Sequence, residues 1–209
     1  MIRAYFYHCE TCGLGFPSLE PLERCPRCAG VVRLRSTRLL PSEAEREGYA
    51  NPLQPPVVGV VDNVRSAWNV GGLFRVADAA GLSHLYLCGI TPVPPHPGIA
   101  KTALGAEEAV PWSYHPDAVD LVKTLRQQGW TLWALETEGA TTCWHPSLPR
   151  PEKPLALVVG NERAGVTPQV LELCQQVLYV PMRGRKRSLN VTAAFAVVAM
   201  GLGGCPEES

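Results

Sequence analysis

Short apolar runs recur along the later part of the chain, each separated from the next by a helical pattern. Val57–Val61, His84–Cys88, Trp130–Leu135, Leu155–Val159 and Val177–Val180 read as strands. Leu73, Val76, Ala77 and Ala80 share one helical face. Ala118, Leu121, Val122 and Leu125 fall at i, i+3, i+4 and i+7, with Gly129 as a stop; Val170–Cys174 and Val191–Leu202 are further helices. Aliphatic strands lacking polar alternation are buried on both faces, and strands alternating with helices pair in parallel. The sequence therefore predicts an α/β fold, a mostly parallel sheet with helices on both faces. Ligands of such sheets bind beyond the carboxyl ends of the strands. That rule directs attention to Asp62-Asn63, Glu136-Thr137, Gly160–Arg163 and Pro181–Ser188.

The 209 residues suffice for one sizeable core plus a small appendage. Lys+Arg and Asp+Glu both number 19, so any case for a nucleic-acid partner rests on local clusters rather than on bulk charge. The N-terminus lacks an apolar signal core and no run of 18 apolar residues occurs, so the expectation is a soluble, cytoplasmic protein without a membrane partner. Residues 1–36 are expected to form one small domain, 37–56 a linker and 57–209 the main domain. Within the linker, Ser42 and Glu45 have capping-box spacing for a short helix around Ser42–Glu47.

Cys9, Cys12, Cys25 and Cys28 form two Cys-x2-Cys knuckles, while Cys88, Cys143, Cys174 and Cys205 are scattered. Two knuckles can present four thiolates tetrahedrally to Zn²⁺; four sulfurs leave no open position, so the site reads as structural, a zinc ribbon. The plain alternative is four unligated cysteines. About 36 residues hold too little core to fold without such a staple. Arg3, Arg24, Arg27, Arg33, Arg35 and Arg38 make the segment basic, as an RNA-contacting arm or as a solvated surface.

Three further stretches carry polar groups past strand ends. In Asn69-Val-Gly-Gly-Leu-Phe-Arg75 the glycines suit a close turn into a helix, and Arg75 falls off the apolar face; an i, i+3 pair with Asp78 is the ordinary reading. Gly160-Asn-Glu162-Arg-Ala-Gly165 lacks the Lys-Ser/Thr of a phosphate loop, and no Gly-x-Gly-x2-Gly follows a strand, which weighs against nucleoside triphosphates and dinucleotides. The ordinary reading of Glu162 is a carboxylate capping nearby N–H groups. Before the apolar helix 191–202 come Arg183, Arg185, Lys186 and Arg187, then Ser188 and Asn190. A helix start exposes unpaired N–H groups that suit a polar or anionic ligand; simple capping and a solvated loop are the alternatives.

Taken together, Asn69…Arg75, Gly160-Asn161-Glu162 and Pro181-Met182-x-Gly184…Ser188-Leu189-Asn190-Val191 resemble the three signature blocks of the SpoU (TrmH-like) branch of the SPOUT RNA methyltransferases. Lys101-x3-Gly105-Ala106 resembles a weaker fourth; Thr192 stands where serine is common, and the zinc ribbon is not the family's usual extension. The resemblance implies a C-terminal trefoil knot, a homodimer, S-adenosylmethionine as methyl donor and a ribose 2′-hydroxyl of tRNA or rRNA as acceptor. It implies Arg75, Asn69, Glu162, Ser188 and Asn190 as catalytic residues. Leu135, Gly160, Val180, Met182 and Leu189 would lie against the cofactor. The competing reading is a zinc-ribbon RNA-binding or assembly factor whose methyltransferase domain is inactive.

Overall fold

The computed structural model describes residues 2–40 and 52–203; the helix expected around Ser42–Glu47 and Cys205 lie outside them. The chain divides into two compact units, residues 1–50 and 51–209.

The first unit is a three-stranded antiparallel sheet of β1 (Ile2–Cys9), β2 (Gly15–Ser18) and β3 (Val32–Leu40), with β1 in the centre. Its aromatic core is small. Tyr7 is buried, stacks on Phe16 and Tyr5 at 5.8 and 6.3 Å, and accepts a hydrogen bond from the Leu22 N–H through its hydroxyl. Strand β3 runs to Leu40, so residues 37–40 are strand rather than linker. Arg-Leu-Arg-Ser-Thr-Arg has no apolar face to advertise a strand; pairing with β1 imposes it.

The second unit is a seven-stranded sheet in which every pairing is parallel. Its strands are β4 (Val57–Asp62), β5 (His84–Cys88), β6 (Trp112–His115), β7 (Thr131–Leu135), β8 (Thr142–Cys143), β9 (Leu155–Val159) and β10 (Gln176–Tyr179). They lie in the order β6-β5-β4-β9-β7-β10-β8. Every residue of the central strands β4 and β9 is buried. Side chains alternate between faces. Val57, Val61, Leu157 and Val159 join Leu73, Phe74, Ile99 and Phe195 on one face. Val58, Val60, Ala156 and Val158 join Leu121, Val122, Leu125 and Val170 on the other. Helix α1 (Ala67–Ala80), α2 (Pro97–Ala103), α3 (Ala106–Ala109) and α6 (Val191–Gly203) supply the first set, α4 (Ala118–Gln127) and α5 (Pro168–Leu173) the second. No helix among the described residues is long and apolar enough to cross a membrane.

Helix α1 starts where the Ser66 hydroxyl accepts from the Asn69 N–H at 3.4 Å and stops at Gly81, in left-handed conformation at φ 70°. Gly71 and Gly72 therefore lie inside this helix, not in a turn leading to it. They are thin points for helix packing. A Cβ on Gly71 would strike the Thr102 hydroxyl and Ile99 carbonyl of α2; one on Gly72 would sit 2.8 Å from the Thr192 methyl of α6.

Candidate active site

The carboxyl ends of β7, β9 and β10 open onto a cavity of about 470 Å³, within the usual range for a small-molecule site. Leu135 closes β7, Gly160 follows β9, Val180 follows β10, and Leu189 comes from the segment entering α6; all four line the cavity, as do Glu162, Ser188 and Asn190. Met182 does not line it. Gly160 is required by contact, since a Cβ there would collide with the Gly165–Val166 backbone. Asn69 and Arg75 lie instead on a neighbouring cleft with Trp68, Lys101 and Met200, and Asn190 lines both hollows.

Glu162 ties the two together. Its carboxylate accepts the N–H groups of Arg65 and Ser66, each at 3.0 Å, and the Asn69 side-chain amide at 2.8 Å. Burial alone would raise its pKa, but these donors more than offset it and hold the carboxyl below its ordinary value. The expected capping role is thus real, and it reaches across 97 residues of sequence. Asn69 then accepts from the Asn190 amide at 3.0 Å. Asn190 uses its own oxygen to cap α6, taking the Thr192 N–H at 2.9 Å and the Ala193 N–H at 3.4 Å. Capping and linking are two jobs of one side chain. Thr192 adds a bond from its hydroxyl to the Asn69 carbonyl at 3.1 Å.

Arg75 is exposed on α1, and no ion pair joins it to Asp78 among the described residues. Arg183, Arg185, Lys186 and Arg187 are likewise exposed and in no ion pair among those residues. Ser188 is exposed beside them.

Several supporting residues escaped the sequence reading as individuals. Glu136, directly after β7, accepts the Val166 N–H at 3.0 Å and the Thr137 N–H at 2.7 Å, bracing the far side of the 160–166 loop. Asn161 donates to the Asn63 carbonyl at 2.7 Å and accepts from the N–H groups of Arg163 and Ala164. Buried Asp62 takes the Thr167 N–H at 2.7 Å. Their signal was position, a polar residue just past a strand, without any hint of the partner.

In the first unit, the sulfurs of Cys9, Cys12, Cys25 and Cys28 all lie within 4.8 Å of one another. Cys9 and Cys28 are 3.4 Å apart, Cys12 and Cys25 3.8 Å. The Cys12 N–H points at the Cys9 sulfur at 3.4 Å and lowers that thiol to about 6. The Arg27 N–H points at the Cys25 sulfur, also at 3.4 Å.

Such a parallel sheet, with a cavity past its strand ends and a helix-start asparagine wired to a distant helix, defines an α/β ligand-binding domain. Residues 56–200 match the SpoU rRNA Methylase family, and the chain belongs to that family. It is 32% identical over 146 residues to the 23S rRNA (guanosine-2′-O-)-methyltransferase RlmB of Vibrio parahaemolyticus, covering 69% of this chain and 57% of that one. It is 29% identical to the tRNA (guanosine(18)-2′-O)-methyltransferase of Thermus thermophilus, over 69% of this chain and 73% of the relative. The AdoMet-bound rRNA methyltransferase of Sinorhizobium meliloti superposes with a TM-score of 0.66 at 26% identity, over 72% of this chain and 57% of that structure. This chain thus spans little more than half of the Vibrio and Sinorhizobium proteins.

Proposed function

We propose that this protein is an S-adenosylmethionine-dependent RNA methyltransferase acting on a ribose 2′-hydroxyl of rRNA or tRNA. One observation carries the reading: the Glu162–Asn69–Asn190 chain of hydrogen bonds joins all three sequence blocks where the cavity meets the Arg75 cleft. The relatives' names, both 2′-O-methyltransferases of guanosine, agree with it.

The cavity fits the cofactor in size and in character: apolar Leu135, Val180 and Leu189 suit a purine, and loop backbone suits its polar edges. Bound there, the cofactor supplies a methyl already activated by its sulfonium. The protein must then align the acceptor and assist loss of its proton. Arginine side chains stay protonated in proteins, so Arg75 holds the target phosphate and stabilises developing alkoxide charge rather than acting as base. Asn69 and Asn190 fix α1 against α6 and thereby Arg75 against the cavity. Glu162, its oxygens engaged by three N–H donors, is a brace. Ser188 and the loop cations face the RNA backbone. Met182, in the loop but off the cavity wall, contacts cofactor only if that loop moves on binding.

The reading extends to assembly. Exposed Trp68, Leu104 and Met200 surround the Arg75 cleft and suit pairing of two chains, so that Arg75 of one works at the cavity of the other. The order β4-β9-β7-β10, with α6 returning to pack on α1 and β9, is compatible with the trefoil knot. The four-sulfur cluster fits Zn²⁺: bonds of about 2.3 Å in a tetrahedron put sulfurs about 3.8 Å apart, beside the 3.4 and 3.8 Å seen. Residues 2–40 are then a zinc ribbon that contacts RNA in the cytoplasm.

Calorimetric titration with S-adenosylmethionine tests the core of this. Wild type should bind, and Asn190→Ala should bind at least ten-fold more weakly. Absence of binding by folded wild type, alone and with RNA present, contradicts the proposal.

A further inference from the structure

The ribbon's sheet has two unlike faces. Cross-strand partners share a face. On one, Tyr5 and Tyr7 of β1 stand with Phe16 of β2 and Leu34 and Leu39 of β3, and the Tyr7 ring stacks on both Tyr5 and Phe16. Tyr7 is buried on that face, whereas Leu34 and Leu39 at its β3 edge are 48% and 55% exposed. On the other, Ala4 pairs with Arg38, Phe6 with Ser36 and His8 with Arg33. A register shift between Phe6 and Tyr7 leaves Arg35 as the extra residue of β3, between Leu34 and Ser36. Phe6 is 38% exposed and, among the described residues, stacks on no other ring. Arg33, Arg35 and Arg38 are exposed, and β3 is exposed continuously from Arg33 to Leu39. Among the described residues, only Glu10 approaches a cation of this face, at 4.0 Å from Arg33. Residues 2–40 hold six arginines against three glutamates.

We infer that this face, Phe6 between Arg38 and Arg33 with Arg35 at the bulge, is a platform for single-stranded RNA. The inference rests on the proposal that the ribbon contacts RNA, and it assigns the mode. A base stacks on the Phe6 ring, and the flanking guanidiniums take phosphates on either side. Arg33 and Arg38 are five residue rises apart along β3, roughly 17 Å, so the two address separate phosphates along the strand rather than one. A phenyl face offers no hydrogen bond and accepts any base, so recognition is for unpaired nucleotides and not for sequence. A duplex, its bases stacked inside, cannot use the ring. A carboxylate-rich protein would use the arginines but leave the ring idle; an acidic lipid surface would also be indifferent to base pairing.

The test uses the full-length protein loaded with zinc, with metal content checked for every variant. Fluorescence anisotropy compares a short unstructured oligoribonucleotide with a hairpin duplex of equal length. Phe6→Leu keeps apolar bulk and removes the stacking face; single-strand affinity should fall about five-fold or more, with duplex affinity unchanged. Phe6→Trp should retain wild-type affinity. Arg38→Gln should weaken both ligands and lower the slope of log affinity against log salt by about one. Single-strand affinity unmoved by Phe6→Leu in a zinc-retaining protein overturns the platform, as does a wild-type preference for duplex. Cross-linking to RNA carrying 4-thiouridine separates this failure from that of the parent reading. Cross-links within residues 2–40 but away from Phe6 and β3 overturn the platform only. Cross-links confined to residues beyond 51 overturn RNA contact by the ribbon altogether.

Discussion

The Asn190 side-chain amide donates to the Asn69 side-chain oxygen at 3.0 Å, joining residues 121 apart in sequence. One is the cap of α6, the other lies in the first turn of α1, and each helix carries a different part of the site. The bond ties α1, which carries Arg75, to the start of α6 beside the cavity.

Two substitutions at Asn190 separate its tasks. Asn190→Ala removes cap and link together, costing about 1 kcal/mol from the cap and lowering the thermal midpoint by about 2–4 °C. Asn190→Asp keeps an oxygen for the Thr192 and Ala193 N–H groups but has no donor for Asn69. It should melt near wild type while losing most methyl transfer. Thermal unfolding and turnover, measured on both variants, check this; full activity in Asn190→Asp would mean the link to Asn69 does not matter.

Gly72 and Thr192 form a tight contact. Gly72→Ala would put a methyl 2.8 Å from the Thr192 methyl, and Thr192 cannot turn away without giving up its bond to the Asn69 carbonyl. A cost of about 1–3 kcal/mol follows from overpacking. Thr192→Ala makes room, so the double variant should be less destabilised than the two single changes added together. Denaturant unfolding of all four proteins completes the cycle; strict additivity would show the contact to be slack.

Glu162 sets an acid limit. Its folded pKa is lowered relative to the free side chain, so its stabilising effect is present above about pH 4.3 and lost as pH falls through the folded value. Between about pH 6 and pH 3, the wild-type thermal midpoint should fall more steeply than that of Glu162→Gln, which starts lower and lacks this component. Parallel profiles would place the acid sensitivity elsewhere.

Removal of the ribbon's metal gives a local effect. Cys28 is raised to about 12: the Gly30 N–H lowers it, but hydrogen bonding with the Cys12 and Cys9 sulfurs outweighs this. Four thiols so close therefore do not all ionise without a dication. Purified protein should hold one zinc per chain, and Cys28→Ser should lose it together with the chemical-shift dispersion of residues 2–40. S-adenosylmethionine affinity should stay within about two-fold, because every cavity residue lies beyond position 134. A metal-free protein with an intact ribbon spectrum would contradict the assignment.

Legibility in sequence followed burial. Strands β5 and β9 are bounded as their apolar runs indicate, and β4 differs only by adding Asp62. Strand β6, Trp-Ser-Tyr-His at the sheet edge, is half exposed and carries no such run. Helix α2 hides in a proline-rich stretch, where Pro97 in fact opens it behind the His96 cap. The Gly71-Gly72 pair resembled a turn because glycine's need for a close neighbour helix and its freedom in a turn look alike in sequence. Individual site residues were visible as polar groups past strand ends. Their partners, 93 and 121 residues away, are set by crossovers that no local pattern encodes.

The most direct test of the account is to supply methyl-labelled S-adenosylmethionine with ribosomal and transfer RNA, digest the product and locate the label. The expected product is a 2′-O-methylated nucleoside, formed by wild type and reduced at least 100-fold in Arg75→Ala with cofactor affinity preserved. Label on a base, or undiminished transfer by Arg75→Ala, would contradict it.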